Sequence, residues 1–173
     1  MSKKFSYLIF WGSLATIFLT IIALLSFLIK IDWFAEIAQT NLRMPIYWTT
    51  VKAWQWYLLW ASTTAFLAIG LFGLYFLHCA FKKISTGELF NLANSLNIRR
   101  FAILLFVQTA AKPIYLSFTS VILSLNHPKG EKMLSLTFGS QELTMLALAM
   151  IFWVVSDVLV AGCKLQAENR QFI

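Results

Sequence analysis

The sequence predicts an all-α integral membrane protein: a four-helix bundle of transmembrane spans, with a short amphipathic cytoplasmic helix between spans two and three. Three observations predict it. Of 173 residues, 60% are hydrophobic and only 12% are charged, about half the charge of an ordinary soluble domain. Apolar runs recur four times, at about residues 7–29, 57–81, 101–125 and 143–163, each long enough to cross a bilayer. The basic residues lie mostly outside these runs and unevenly: segments 1–6, 82–100 and 164–173 hold eight Lys/Arg in 35 residues, against five in 44 for segments 30–56 and 126–142. The denser side is cytoplasmic, so both termini are expected inside. Residues 1–173 read as a single transmembrane domain, and the lipid bilayer is its first partner.

Taken in order, Tyr7–Ile29 is 23 residues without a charge. That is longer than the apolar core of a signal peptide, and Lys30-Ile-Asp-Trp is no cleavage site, so an uncleaved first span is expected. Residues 30–56 carry Trp33, Phe34, Tyr47, Trp48, Trp54 and Trp56, the aromatic mixture that gathers at a membrane interface. This segment is expected to lie on the outer leaflet, with a short helix over Asp32–Gln39 that Pro45 prevents from continuing. The second span follows, with Ala61, Ala65 and Gly73 on one face to allow close helix approach.

Residues 82–100 form the inner loop. Ser85-x-x-Glu88 has the form of a capping box. Leu89, Leu92, Ala93 and Leu96 then recur at helical spacing between Lys82-Lys83 and Arg99-Arg100, so an amphipathic helix on the inner membrane surface is predicted. After the third span, His127-Pro-Lys-Gly signals a turn and Ser135-Leu-Thr-Phe-Gly reads as a short extended piece. The fourth span carries Asp157 near its inner end.

The third span holds the costliest residue. Lys112 sits at its middle, followed by Pro113. Ionisable residues at such depth mark function or pairing. Gln108, Lys112, Tyr115 and Thr119 fall at helical spacing and form one polar stripe, which should face the bundle interior. Asp157 is the expected partner. Counted from Arg100 and Lys164 as inner boundaries, Lys112 and Asp157 differ in depth by about 8 Å at the helical rise, and their side chains lean toward one another. An intramembrane charge pair is therefore expected.

Other chemistries find little here. No phosphate loop, nucleophile elbow or zinc-protease motif is present, and no catalytic residue, metal site or cofactor is expected; the protein reads as no enzyme. His78, Cys79 and Cys163 lie at similar depth, but a metal there would need Asp157 as a further ligand. The net charge of +7 is explained by cytoplasmic anchors, with no stacking module or basic groove for nucleic acid.

Two stretches carry a resemblance. Gly87-Glu-Leu-Phe90-Asn-Leu-Ala-Asn94 is similar to a Gly-x-x-Phe-x-x-x-Asn pattern. Asp157 to Ile173, with Gly162, Leu165, Glu168 and Asn169, is similar to a closing pattern of the same family, although Phe172 stands where Thr is usual. Both resemble the bacterial domain-of-unknown-function 2975 family. The resemblance implies a small four-span protein of the bacterial cytoplasmic (inner) membrane, often encoded beside a helix-turn-helix regulator, and implies no activity. Gly87, Phe90, Asn94, Leu165, Glu168 and Asn169 would then make one cytoplasmic surface. The expected function is a regulatory or interaction protein binding a cytoplasmic regulator. The alternatives are a small ion-coupled carrier built on Lys112 and Asp157, as a homo-oligomer, and a structural subunit of a membrane complex.

Overall fold

A computed structural model describes residues 3–29, 36, 39–42, 46–85, 91–128 and 130–169. Four long helices dominate: α1 (Lys3–Ile29), α2 (Ala53–Ser85), α3 (Leu92–Ser124) and α4 (Ser140–Asn169). Of these, α2 over Ala53–Ile84, α3 and α4 are each long and apolar enough to cross a membrane, while the described apolar stretch of α1, Phe10–Ile22, is shorter. No strand occurs among the described residues.

The helices pack in chain order: α1 on α2, α2 on α3, α3 on α4. Each pair is antiparallel. On the first, Ser13 meets His78. On the second, Thr63 meets Tyr115 and Phe76 lies beneath Arg100. On the third, the rings of Phe101 and Phe152 stand edge to face at 5.1 Å. Glycine permits the α2–α3 contact. A Cβ on Gly70 would lie 2.6 Å from the Gln108 amide, and one on Gly73 would touch Leu104 and Phe101. Apolar contact gains little over lipid within a membrane, so such close backbone approach is what holds helices together.

Every helix is longer than its apolar run. The N-terminal end of α3 shows why. Asn91 is the N-cap, its side chain accepting from the Ala93 N–H at 2.9 Å. From there the helix runs unbroken through Arg100. The predicted amphipathic helix is therefore not a separate element among the described residues; it is the first two turns of α3. Ser85 is the last residue of α2 rather than a cap, and residues 86–90 lie outside the described residues.

The opposite end of the helix layer departs further from expectation. Segment 39–56 does not simply lie on an interface. Leu42 and Ile46 are buried with Leu59, Leu116, Ile122 and Leu123, and Trp48, Val51 and Trp56 pack on this cluster. Trp48 stacks on Trp56 at 5.6 Å. The expected helix at 32–39 falls largely outside the described residues; residues 39–42 are helical. At the start of α2, Gln55 is fully buried. Its Oε1 accepts from the Lys52 N–H and from Asn126 Nδ2, both at 2.7 Å, and its Nε2 donates to the Ile122 carbonyl. The third helical residue thus closes its own N-cap, as in a capping box, and also grips α3.

Segment 131–139 is non-helical and runs back along α3 toward the start of α4. Ser117, Ser120 and Ser124, on one face of α3, bind its backbone. Ser124 Oγ donates to the Met133 carbonyl, the Ser135 N–H donates to Ser120 Oγ, and Ser117 Oγ donates to the Ser135 carbonyl. Ser135 and Thr137 turn inward while Leu134, Leu136 and Phe138 stand exposed at 68%, 72% and 53%. Polar-in, apolar-out alternation is what non-helical backbone needs when its outer side faces hydrocarbon.

Replacing Gln55 by Ala is expected to leave the Lys52 N–H and Ile122 carbonyl without their side-chain partner, at about 1–3 kcal/mol. Unfolding of the purified protein in mixed micelles measures it. Trp54→Ala, one residue away but exposed, should cost far less; equal losses would show that the Gln55 contacts do not hold α2 to the end of α3.

Candidate functional site

The site forms where α4 begins. Gly139 takes the N-cap position, and Glu142 is the third residue of the helix. Its Oε2 accepts from the Gly139 N–H at 2.7 Å, again the backward reach of a capping box. A carboxylate in the first turn also faces the positive end of the helix dipole. Its other oxygen, Oε1, accepts from Lys112 Nζ at 2.5 Å. Glu142 is 5% exposed, and the Lys112 side chain is 30% exposed. Gln141 Oε1 lies 3.4 Å from the same ammonium.

Lys112 therefore pairs with Glu142, and the expected Lys112–Asp157 pair does not form. Asp157 lies 3.9 Å from Arg99 Nη1, both side chains about half exposed, and the Arg99 guanidinium covers the Trp153 ring. The physical reason is register. The expected pairing placed Arg100 and Lys164 at one depth. In the structure Arg99 is level with Asp157, seven residues before Lys164, which puts Lys112 about 20 Å from Asp157 at the helical rise. Sequence reasoning missed Glu142 because it was assigned to the loop before the fourth span. Gly139-Ser-Gln-Glu directly before an apolar run was the available signal, a helix start with its acid at the third position.

Gln108 and Tyr115 of the polar stripe lie against α2. Gln108 rests its amide on the α2 backbone at Gly70. Tyr115 hydrogen-bonds Thr63 at 2.9 Å and stacks on Phe66 with ring centroids 4.6 Å apart. Thr119 is buried, and its hydroxyl has no hydrogen-bond partner among the described residues. Pro113 sits inside α3, so the Thr109 carbonyl receives no helical N–H. Phe66, Gln108, Thr109, Lys112, Gln141 and Glu142 line a cavity of about 230 Å³ between α2, α3 and α4. It offers an ammonium, a carboxylate and two carboxamides within an otherwise apolar helix layer.

The expected cytoplasmic surface fares differently. Gly87 and Phe90 lie outside the described residues. Asn94 is fully buried, so it does not stand on the surface. The continuity of α3 explains this: Asn94, Ile98, Ala102 and Thr109 fall on its inward face, which a separate surface helix would not have shared. Leu165, Glu168 and Asn169 are exposed at the end of α4, and Ser95 Oγ lies 3.9 Å from Cys163 Sγ, which brings the start of α3 beside the last turns of α4. His78 Nδ1 is 3.0 Å from Ser13 Oγ, and its ring lies on Phe10. His127 follows the C-terminal end of α3, against the Tyr47 N–H and ring. Among the described residues no three His, Cys, Asp or Glu side chains are grouped to hold a metal ion.

A double-mutant cycle tests the pair. Lys112→Met alone strands a buried carboxylate, and Glu142→Gln alone strands the ammonium. Each is expected to cost up to about 3–5 kcal/mol, less in proportion to the exposure of Lys112. The double variant should recover much of the loss, whereas Asp157→Asn should be nearly silent. Strictly additive losses at 112 and 142 would refute coupling.

Comparison of the chain with protein-family models, with curated proteins and with solved structures finds no match.

Proposed function

We propose that the chain is a multi-pass protein of the bacterial cytoplasmic membrane, crossing four times with both termini inside, and that it is regulatory. In this reading a small ligand occupies the chamber at Lys112 and Glu142, and a soluble partner reads the cytoplasmic end. The chamber carries the reading. The pair fixes the height of α4 on α3, a register that apolar side chains of similar volume would hold less specifically. Its ammonium also lines the cavity and is 30% exposed, so a ligand there could use a charge that is otherwise rare among helices apolar enough to cross a membrane.

Two observations support the cytoplasmic half. Leu92, Leu96 and Leu165 are exposed, and the Ser95–Cys163 contact sets their helices side by side. The described parts of the two stretches that resemble the domain-of-unknown-function family, residues 91–94 and 157–169, adjoin this contact.

A carrier is the second reading, favoured because Lys112 lines the chamber at the edge of its ion pair, which would let a substrate exchange with it. Its counter-charge would then be Glu142, because Asp157 has Arg99.

Native mass spectrometry of the protein extracted in mild detergent tests the ligand. The wild type and Asp157→Asn are expected to retain one small molecule that the Lys112→Met/Glu142→Gln double variant loses. Retention by the double variant would overturn the reading. Reporter fusions after Ser6, Ser95 and Ile173 should report cytoplasm, and fusions at Gln39 and Gly130 the outside. An external Ile173 would overturn four crossings.

A further inference from the structure

Segment 131–139 has one backbone edge occupied and one free. Met133 lies beside Ser124, and Gly139 lies beside the Lys112–Glu142 pair. Ser124 and Lys112 are twelve residues apart on α3, about 18 Å at the helical rise, and six residues of the segment cover that distance. The rise is therefore about 3 Å per residue, close to that of a strand. Successive residues of such a chain turn their N–H and C=O to alternate edges. The Ser135 N–H and C=O both go to α3, at Ser120 and Ser117, and the Met133 C=O goes to Ser124. The N–H and C=O of Leu134 and Leu136 then point away from α3, and none of them has a hydrogen-bond partner among the described residues. Their side chains are exposed, as are Ile114, Phe118 and Val121 at the same height on α3. The free edge thus lies among bare apolar side chains.

We infer that two copies of this chain pair through that edge, their extended segments antiparallel about a twofold axis at Ser135. The inference rests on the reading of α3 and α4 as membrane spans and names how the protein self-associates. Lipid offers an open edge neither donor nor acceptor, and lipid-exposed edges do not occur within hydrocarbon. The occupant must present N–H and C=O at the spacing of an extended chain, as another strand edge does. The same edge of a second copy meets that requirement. Placed antiparallel, Leu134 of each copy faces Leu136 of the other, and each facing pair exchanges both N–H···O bonds. The contact is self-complementary and closed, because the serines of α3 hold the other edge of each segment. No charged residue lies between Met133 and Gly139, so the axis brings no like charges together. Glu131 and Lys132 fall beyond the paired residues, at opposite ends of the ribbon in the two copies.

The contact is made by backbone, so its test separates backbone from side chain. Leu136→Pro removes the outward N–H, and a following proline holds Ser135 in the extended region it already occupies. Leu136→Ala keeps the N–H and loses only side-chain contact, which gains little over lipid. The purified full-length protein in mild detergent is read by native mass spectrometry across a range of concentrations. The wild type is expected to be dimeric. Leu136→Pro should weaken the dimer about tenfold or more, and Leu136→Ala less than about threefold. A monomeric wild type, or equal weakening by the two substitutions, overturns the inference.

Cross-linking reads the same contact without proline. In a Cys79→Ala/Cys163→Ala background, Leu134→Cys/Leu136→Cys should give a disulfide-linked dimer in membranes under mild oxidation, since facing residues have Cα atoms about 5.5 Å apart. Phe18→Cys, comparably exposed but on α1, should not. Equal cross-linking from Phe18→Cys, or none from positions 134 and 136, overturns the pairing. Release of the wild type from membranes by alkaline carbonate overturns instead the membrane reading beneath it.

Discussion

The structure depends on one carboxylate with two partners. Glu142 gives one oxygen to the Gly139 N–H, which starts α4, and the other to Lys112, which lies midway along α3. Capping alone would set where α4 begins, and pairing alone would leave its start adjustable by a turn. Joined in one side chain, they lock the start of α4 to one level of α3. Every other α3–α4 contact follows from that level: Phe101 on Phe152, Arg99 over Trp153 and beside Asp157, Ser95 beside Cys163. Lys112 is tolerated in an apolar helix because its charge is answered at 2.5 Å, where low dielectric strengthens the attraction that must repay desolvation.

The same device recurs on the other side of α3. Gln55, third in α2, closes its own N-cap and grips the Ile122 carbonyl. Thus α3 is the axis, held on both flanks by the first turn of a neighbour, but at different heights. Gln55 acts near the end of α3, while Glu142 acts twelve residues before Ser124, about 18 Å along the helix. The space this leaves beyond α4 is filled by segment 131–139. Its backbone lacks a helical ladder, so Ser117, Ser120 and Ser124 supply hydrogen bonds. The serines are the cost of starting α4 late, and starting it late is what puts Glu142 level with Lys112.

Packing in chain order has a geometric consequence. Helices arranged side by side leave hollows on both flanks of the central one, and Gln108 borders both. The charged groups are confined to one hollow, while the other has only Thr20 and Gln108 as polar lining. The division arises because α4 brings Gln141 and Glu142 to one side, whereas α1 brings Thr20 with its hydroxyl bound to its own helix.

How much was legible can be judged residue by residue. Composition and the lengths of the apolar runs determined an all-helical chain with helices fit to cross a membrane, because lipid permits only backbone that satisfies itself. The cost of Lys112 was equally plain, since a charge among apolar residues demands a partner wherever the helices go. The partner's identity was not legible. Asp157 and Glu142 are both acids near the fourth apolar run, and choosing between them needs the relative height of α3 and α4. Flanking basic residues misjudged that height by seven residues, because Arg99 and Arg100 settle against Trp153 and Phe76 rather than marking the same level as Lys164. The burial of Asn94 was hidden for a related reason: whether residues 92–100 form their own helix or the first turns of α3 depends on contacts with α2 and α4, not on local pattern. Local pattern determined which groups must be paired or hidden; the heights at which antiparallel helices lock, set by contacts between residues about 30 to 70 positions apart, decided which groups meet.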